Sequence, residues 1–411
     1  MKPTSTHPRD NSKNDLLFLA QRCPYPPNKG DKITTWNLLK FLARRYRVHL
    51  GTYIDDPHDW QYVPVLREQC ASVYVAGLNP NVCKFKSLAG LLTGDALSVE
   101  FYRHAGMQSW VDGVMRQGVD RVFVYSSAMA RYVLDAGPGR IRIMDFADID
   151  SDKWRQYAKV AGWPMSWIYR RESVRLLAWE RRIARDFDHS LFISEAEAKD
   201  FRSMAPEAAA KVSALSNGVD SDYFSPSADF ANPYPGTSPQ MVFTGAMDYR
   251  PNIDAVVWFA REALPLIRAT RPDAGFCIVG SRPAAEVQSL TQIAGVTVTG
   301  RVEDVRPYIA HAAAVVAPLR IARGIQNKVL EGMAMAKTVV CSPQGLEGIH
   351  AEVGSEVLLA EDAAAFAREC LRAIEGLDLG HAARQRVLSS YDWDACLAKL
   401  DALLEPHAHG R

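Results

Sequence analysis

Short apolar runs alternate along the chain with longer segments in which apolar residues recur every three or four positions. The short runs are rich in Val, Ile, Leu and Phe, which is typical of strands buried on both faces, and the longer segments are typical of amphipathic helices, such as 34–46 and 252–270. This alternation predicts parallel sheets with helices on both faces. The predicted strands lie at residues 16–20, 48–53, 72–77, 121–125, 141–146, 190–194, 211–215, 241–245, 275–280, 296–300, 313–319, 338–342 and 356–360.

The alternation occurs twice, on either side of residues 222–240, which are rich in Pro, Ser, Gly and Asn and therefore resemble a linker. A chain of 411 residues is also longer than one hydrophobic core normally serves. We therefore predict an α/β fold of two doubly wound, Rossmann-like domains, residues 16–220 and a second from 221, after a disordered lead of residues 1–15. Such sheets bind ligands at the carboxyl ends of their strands, so a cleft between the domains is the expected site.

The composition, with 48% apolar and 23% charged residues, fits a soluble globular protein. No apolar run reaches the roughly 18 residues that span a bilayer, and the N-terminus lacks the apolar core of a signal peptide. We expect a cytoplasmic protein. Seven cysteines without a CxxC pair predict free thiols and argue against a zinc site.

The charge is divided unevenly, since residues 1–220 hold 31 basic and 25 acidic side chains and the remainder holds 17 and 22. Either this is chance, or the first half faces an anionic partner such as a membrane. Residues 163–187 are the strongest candidate for such a contact, because they combine tryptophans with six arginines. A basic helix with tryptophans can lie on an anionic bilayer, but an ordinary domain helix with a solvated arginine face has the same pattern.

The strongest chemical signal lies between the predicted strand 313–319 and the helix that begins near Asn327. The intervening turn contains Arg323 and Gly324, and Lys328 and Glu331 follow in the helix. A helix N-terminus favours anions, glycine allows a close approach to the backbone, and basic side chains add charge. A carboxylate one turn into the helix can accept hydrogen bonds from ribose hydroxyls. The pattern by itself also allows Glu331 to be a simple helix-capping residue and Lys328 to be solvated.

The segment "LEGMAMAKTVV" (330–340) resembles the hallmark of the GT-B glycosyltransferases of family four, in which a loop and the helix after it carry two glutamates eight positions apart. Glu331 matches the second glutamate, and the resemblance implies that it binds ribose. Arg323 stands at the position of the first glutamate, where it would hold the diphosphate or a charged sugar instead of the usual sugar hydroxyls.

Further segments resemble the same family. "NGVDSDYF" (217–224) is similar to the entrance of the second domain, and "FTGAMDYRPNIDAV" (243–256) is similar to its first strand, loop and helix. The resemblance implies donor binding by Gly245, with Arg250 as a substitute for the family's basic residues. "VTGRVEDVRPYIAHA" (298–312) implies that Arg301 and Val302 lie near the base. Residues 389–404 resemble the closing helix, so the second domain is expected to span 221–388 and residues 389–411 to return to the first.

Residues 22–57 and 144–158, together with "ARGIQNKVLE" (322–331), resemble the exosortase-associated (PEP-CTERM) sugar transferases of bacterial exopolysaccharide systems. This motif adds Gly324, Ile325, Gln326 and Asn327 to the implied donor site. In the first domain, the loop "YPPNKGDK" (25–32) offers Gly30 with Lys29 and Lys32 to the donor phosphate. Asp148 follows a strand and is implied to contact the sugar or the acceptor; its neighbours at alternate positions do not form a calcium loop, since Lys153 occupies the position that needs glycine.

These observations predict a retaining, metal-independent glycosyltransferase without a cofactor, acting on a UDP- or GDP-sugar and a glycan or lipid-linked acceptor. We assign Lys328, Arg323 and Asp148 to catalysis and expect no nucleic-acid partner, with attachment to the inner face of the plasma membrane as an option. Two alternatives remain open, a nucleotide-sugar 2-epimerase of similar fold and a non-catalytic nucleotide-sugar-binding subunit.

Overall fold

The computed structural model describes residues 13–27, 29–87, 90, 94–135, 137, 139–234, 236–322 and 324–405. The chain divides into two compact units, the first of Met1–Asn217 with Leu397–Arg411 and the second of Gly218–Cys396. The predicted disordered lead falls mostly on residues 1–12, which lie outside the described residues, as does the predicted catalytic residue Arg323.

The first unit is built on a seven-stranded parallel sheet with the order β3-β2-β1-β4-β5-β6-β7. Its strands are β1 (Asp15–Ala20), β2 (Arg47–Ile54), β3 (Ser72–Gly77), β4 (Arg121–Tyr125), β5 (Ile141–Ala147), β6 (His189–Phe192) and β7 (Val212–Ala214). Its helices are α1 (Gly30–Arg45), α2 (Val63–Gln69), α3 (Pro80–Ser87), α4 (Leu97–Phe101), α5 (Ala105–Met115), α6 (Asp150–Val160), α7 (Met165–Asp186) and α8 (Glu195–Met204), with short 3₁₀ helices at Pro57–Tyr62, Ser127–Tyr132 and Pro206–Lys211.

The second unit contains a six-stranded parallel sheet with the order β10-β9-β8-β11-β12-β13. Its strands are β8 (Gln240–Thr244), β9 (Gly275–Val279), β10 (Val296–Gly300), β11 (Ala314–Ala317), β12 (Val339–Cys341) and β13 (Leu358–Leu359). Its helices are α9 (Arg250–Trp258), α10 (Leu264–Thr270), α11 (Ala285–Gln288), α12 (Arg306–Ala310), α13 (Asn327–Ala334), α14 (Pro343–Leu346), α15 (Ala363–Ile374), α16 (Gly380–Ser390) and α17 (Trp393–Leu397), and a π-helical turn, Phe259–Ala263, joins α9 to α10.

Hydrophobic burial explains why these segments become strands. Every residue of β4, β9 and β11 is buried, because helices cover both faces of each sheet. Helix–strand packing is close at Gly332 of α13, where a Cβ atom would lie 3.0 Å from the side chains of Val315 and Val339. This contact fixes α13 against the middle of the second sheet, and it thereby positions the residues at the start of the helix.

The predicted α/β class with two Rossmann-like sheets is confirmed, and all thirteen predicted strands are present with ends that differ by at most two residues. Residues 222–240, predicted as a linker, belong instead to the second unit. The units divide at Asn217 and Gly218, before residues 222–240, and Phe224, Phe230 and Tyr234 of that segment pack on the core of the second unit. Pro and Ser therefore mark an irregular segment that covers its own domain.

The end of the chain belongs to the first unit from Leu397 onward. Helix α18 (Lys399–Leu403) follows, with Leu400 and Leu404 fully buried. Arg121 of β4 donates a hydrogen bond from Nε to the carbonyl oxygen of Leu404 at 3.0 Å. The segment expected as one closing helix is thus three short helices, interrupted after Ser390 and after Leu397.

Candidate functional site

A cavity of about 400 Å³ lies at the carboxyl ends of β8, β9 and β10, next to the first turn of α13. This is the end of a parallel sheet at which ligands bind, and the volume lies within the range of small-molecule sites. All of its lining residues belong to the second unit: Phe224, Thr244, Gly245, Val279, Gly280, Ser281, Arg301, Val302, Val305, Asn327, Lys328 and Glu331.

Glycines form the floor of the cavity, where the strand ends approach one another. A Cβ atom on Gly280 would lie 1.6 Å from the carbonyl oxygen of Gly245, so no larger residue fits there. The two strand ends are joined by a hydrogen bond from the Gly245 amide to the carbonyl oxygen of Val279 at 3.0 Å. Gly245 itself has a φ of 154°. A floor without side chains lets a ligand reach the main chain closely.

A buried amide holds the loop that follows β8. Asn252, in the first turn of α9, is 5% exposed, and its Nδ2 donates to the carbonyl oxygen of Ala246 at 2.9 Å. The side chain thereby closes the loop from Ala246 to the helix. This hydrogen bond holds the backbone at the cavity floor.

Helix α13 presents Asn327, Lys328 and Glu331 to the cavity. Residues three and four apart share one face of a helix, and here the other face, with Val329, Leu330 and Met333, is fully buried. The side chain of Gln326, the N-cap residue of α13, forms no capping hydrogen bond. The positive end of the helix dipole therefore lies at the cavity together with the Lys328 ammonium group.

Burial perturbs the two charged groups in opposite directions. It raises the pKa of the Glu331 carboxyl group and lowers the pKa of the Lys328 ammonium group, and in each case the charge of the other residue opposes the shift. Lys328 Nζ lies 5.2 Å from the centroid of the Phe243 ring, over which a cation is favoured. Within the described residues, Glu331 has no hydrogen-bonding partner for its carboxylate, so its oxygens are open to a ligand.

The opposite side of the cavity is made by the segment after β10. Val302 and Val305 provide an apolar surface beside Arg301. The segment is fixed by Arg306, whose guanidinium group lies 3.8 Å from the Tyr223 ring centroid and 2.7 Å from a carboxylate oxygen of Asp304. A flat apolar ligand group can lie against this wall while anionic groups face α13.

Comparison with known families agrees with this geometry. Residues 238–376 match the family model of the glycosyl transferases group 1, and this range includes every lining residue of the cavity except Phe224. The protein is a glycosyltransferase. The comparison with curated proteins found no match to the chain.

Solved structures with the same GT-B fold align with nearly the whole length of this chain. A glycosyltransferase from Rickettsia africae ESF-5 has a TM-score of 0.63 at 15% identity, covering 97% of this chain and 100% of that one. A sucrose-phosphate synthase from Thermosynechococcus elongatus has a TM-score of 0.63 at 18% identity, with 95% and 98% covered. HepE of Anabaena, solved in complex with UDP, has a TM-score of 0.59 at 15% identity, with 95% and 99% covered.

Six of the residues predicted for this glycosyltransferase site line one cavity, namely Gly245, Arg301, Val302, Asn327, Lys328 and Glu331. Gly324, Ile325 and Gln326 lie directly before α13 and outside the lining. Gly324 has a φ of 68°, and Gln326 Nε2 donates to its carbonyl oxygen at 3.0 Å, so these residues shape the turn. Ile325 packs on the core of the second unit.

Arg250, expected near the donor phosphate, and Arg320, which the sequence analysis did not assign, are both engaged elsewhere. Arg250, at the start of α9, does not line the cavity; its side chain is 72% exposed and lies 3.7 Å from Glu286. Arg320, in the turn after β11, forms a two-pronged ion pair with Asp254 at 2.5 and 2.9 Å. Arg320 therefore stabilises the contact between that turn and α9.

The predicted residues of the first unit lie at the carboxyl end of its sheet. Gly30 begins α1, and a Cβ atom there would meet nothing within 4 Å. Lys32, expected to meet phosphate beside it, is instead buried and ion-paired with Asp59. That expectation was wrong, because the ammonium group of Lys32 is buried against Asp59 and is not available to a phosphate. Asp148 is half-buried and accepts a hydrogen bond from Lys153 at 2.8 Å.

Sequence reasoning missed Thr244, Val279, Gly280, Ser281 and Val305 as lining residues. Most of them end a strand or follow one directly, so the carboxyl-end rule for parallel sheets could have identified them. Phe224 was noted only as part of the "NGVDSDYF" segment. Its carbonyl oxygen accepts a hydrogen bond from Arg384 of α16 at 3.0 Å, which holds it at the cavity edge.

Proposed function

We propose that this glycosyltransferase transfers a sugar from a nucleoside-diphosphate sugar to a glycan or lipid-linked acceptor, with retention of anomeric configuration and without a metal ion. One observation carries the proposal: a glycine floor, an uncapped helix N-terminus, Lys328 and Glu331 converge on a single cavity. These are the groups that a diphosphate and a ribose need.

Each group has a place in donor binding. The diphosphate lies on the glycine floor against the start of α13 and Lys328, Glu331 accepts hydrogen bonds from the ribose hydroxyls, and the base lies against Val302 and Val305. HepE, of the same fold, is solved with UDP and with UDP-glucose. This likeness supports a uridine donor, with a GDP-sugar as the other choice to be tested.

The chemistry breaks the bond between the sugar C1 and the donor phosphate oxygen and forms a bond from C1 to the acceptor hydroxyl oxygen. The proton of that hydroxyl passes to the departing phosphate. Negative charge grows on the diphosphate as it leaves, and fixed dipoles and cations that await this charge lower the barrier. Lys328, in the first turn of α13, is one described cation of the cavity wall, and Arg323 stays a predicted further one.

A role in bacterial exopolysaccharide assembly is supported by the resemblance of residues 22–57, 144–158 and 322–331 to exosortase-associated transferases. An acceptor in such a system is lipid-linked and lies at the inner face of the plasma membrane, so this role includes peripheral attachment there. Loss of exopolysaccharide on deletion of the gene, restored by the wild-type chain and not by a Lys328→Met chain, is the expected result.

A thermal-shift screen tests donor choice directly, because a ligand that binds only the folded state raises its apparent stability. We expect UDP to stabilise the protein more than GDP, and chelation of divalent ions to leave this stabilisation unchanged. Incubation with the donor alone should release nucleoside diphosphate slowly; isomerised sugar would instead indicate an epimerase. Absence of stabilisation by any nucleoside diphosphate would overturn the proposal.

A further inference from the structure

Helices α6 and α7 form a hairpin whose tip exposes large apolar side chains. Trp163 is 86% exposed, Val160 85% and Trp167 57%, and Tyr157 and Met165 are exposed beside them. Single exposed apolar side chains are common on protein surfaces, whereas a contiguous exposed apolar patch marks an interaction site. In the described chain, no other stretch of this length holds as many exposed large apolar side chains.

The hairpin is firmly built below this tip. Trp154 of α6 lies 5.2 Å from Tyr169 of α7 between ring centroids, and Tyr157 lies 6.3 Å from the same ring. Glu172 is buried and accepts hydrogen bonds from the main-chain amides of Leu97 and Ser98, at 2.7 Å each. These contacts fix α7 on the first unit, so the exposure of the tip is a property of the folded unit.

Basic groups without acidic partners surround the tip. Arg170 and Arg175 make no ion pair within the described residues, and Arg171 donates to the main-chain carbonyl oxygens of Gly90 and Asp95. The arginines at the other end of α7 differ, since Arg181 pairs with Glu207 at 2.7 Å. Between residues 159 and 175 the sequence has four basic side chains, and its one acidic side chain is the buried Glu172.

The apolar and basic residues lie on the same surface. Trp167, Arg170 and Val174 recur every three or four residues and are all exposed, so they form one stripe along α7, whereas Glu172, Leu176 and Glu180 form the buried stripe. Tryptophan and tyrosine prefer the membrane–water interface, and arginines beside them are attracted to anionic headgroups. A protein partner would require acidic side chains facing these arginines, whereas a bilayer supplies the same charge over its whole surface.

We propose that the α6–α7 tip, residues 157–175, inserts into the headgroup region of an anionic lipid bilayer, with Trp163 and Trp167 as anchors and Arg170 and Arg175 bound to lipid phosphates. The inference rests on the proposed function only in its expectation that the acceptor is lipid-linked. The surface itself is argued from exposure and charge in the first unit.

Co-sedimentation with vesicles tests the proposal. The full chain should bind vesicles that contain phosphatidylglycerol and should bind neutral phosphatidylcholine vesicles much less. The double variant Trp163→Ser with Trp167→Ser should reduce vesicle binding about tenfold or more, because it removes two aromatic side chains that the bilayer would bury. The double variant Arg170→Gln with Arg175→Gln should reduce vesicle binding by roughly fivefold for each arginine. It should also make vesicle binding less dependent on the salt concentration.

Matched controls exist in the same unit. Trp60→Ser removes a tryptophan that is 48% exposed on another element, and Arg185→Gln removes an arginine at the far end of α7; neither should change vesicle binding. Melting with and without UDP on every variant shows that it is folded and binds donor. If the tryptophan pair disturbs folding, the arginine pair carries the test.

Three results would overturn the proposal: equal binding to neutral and anionic vesicles, no vesicle binding, or unchanged binding by both double variants. Sedimentation velocity without lipid should show no change of mass in the tryptophan variant. A dimer that the substitutions dissociate, with no lipid binding, would mean that the tip contacts a second copy of the chain. None of these outcomes depends on donor binding, so the two proposals can fail separately.

Discussion

Replacement of Glu331 by glutamine tests the donor site most directly. The substitution keeps the size of the side chain and one acceptor oxygen but removes the charge that the structure places in the cavity wall on α13. The described residues give this carboxylate no hydrogen-bonding partner. A hydrogen bond from a ligand hydroxyl would therefore offset the cost of burying its charge. The variant is therefore expected to bind the donor nucleotide less tightly.

The magnitude follows from the kind of bond lost. A hydrogen bond to a charged group contributes about 1.5–3 kcal/mol. At about 1.4 kcal/mol for each tenfold change, the Kd for UDP should rise by roughly 10- to 150-fold. Since free UDP and a UDP-sugar share the ribose, both should lose the same factor.

The variant should also change the pH dependence of binding. Burial lowers the pKa of Lys328, and the negative charge of Glu331 opposes that shift. Without this charge the pKa of Lys328 falls further, so the lysine loses its proton, and the diphosphate its cation, at a lower pH than in the wild type. The affinity of Glu331→Gln for UDP should therefore decline earlier on the way from neutral to alkaline pH.

Isothermal calorimetry with UDP at neutral and at alkaline pH measures both effects. Glu375→Gln is the matched control, because Glu375 is exposed at the end of α15 in the same unit and does not line the cavity. An unchanged Kd in a variant with an unchanged melting temperature would refute the assignment of ribose binding to Glu331. A wild-type pH profile would refute the electrostatic coupling of the two residues.

Three further predictions concern charge, shape and pH. Lys328→Met should lower kcat more than it raises the donor Kd, measured by initial rates and calorimetry, because the charge to be stabilised grows in the transition state; a change in Kd alone would remove the lysine from that role. Gly280→Ala should abolish UDP-induced stabilisation in thermal-shift assays, since the new methyl group would meet the Gly245 carbonyl oxygen, and normal UDP binding would disprove the tight floor. Burial raises the pKa of Asp145 to about 7, whereas the pKa of an exposed aspartate is about 3.9. Between these two pH values the folded state binds a proton that the unfolded state does not, so the free energy of unfolding falls as the pH rises. Asp145→Asn should flatten the dependence of the melting temperature on pH in this window, and an unchanged slope would contradict the raised pKa.

The sequence by itself determined the sheets. Runs such as residues 122–125 are apolar at every position, and only a strand covered on both faces buries such a run in a parallel sheet. The site on α13 was also readable, because the glycine turn, Lys328 and Glu331 lie within a few residues of one another, and local spacing on a helix fixes which side chains share a face.

Only the tertiary structure decided which charges are free and where the backbone is open. Lys32 looked like Lys328 in the sequence, yet Lys32 is neutralised by Asp59, 27 positions away, and Arg320 is neutralised by Asp254, 66 positions away. The sequence placed Gly280 at the end of a predicted strand, and only the structure shows the carbonyl oxygen of Gly245 against it. Ion pairing and close packing depend on residues far apart in the chain, and no local pattern contains that information.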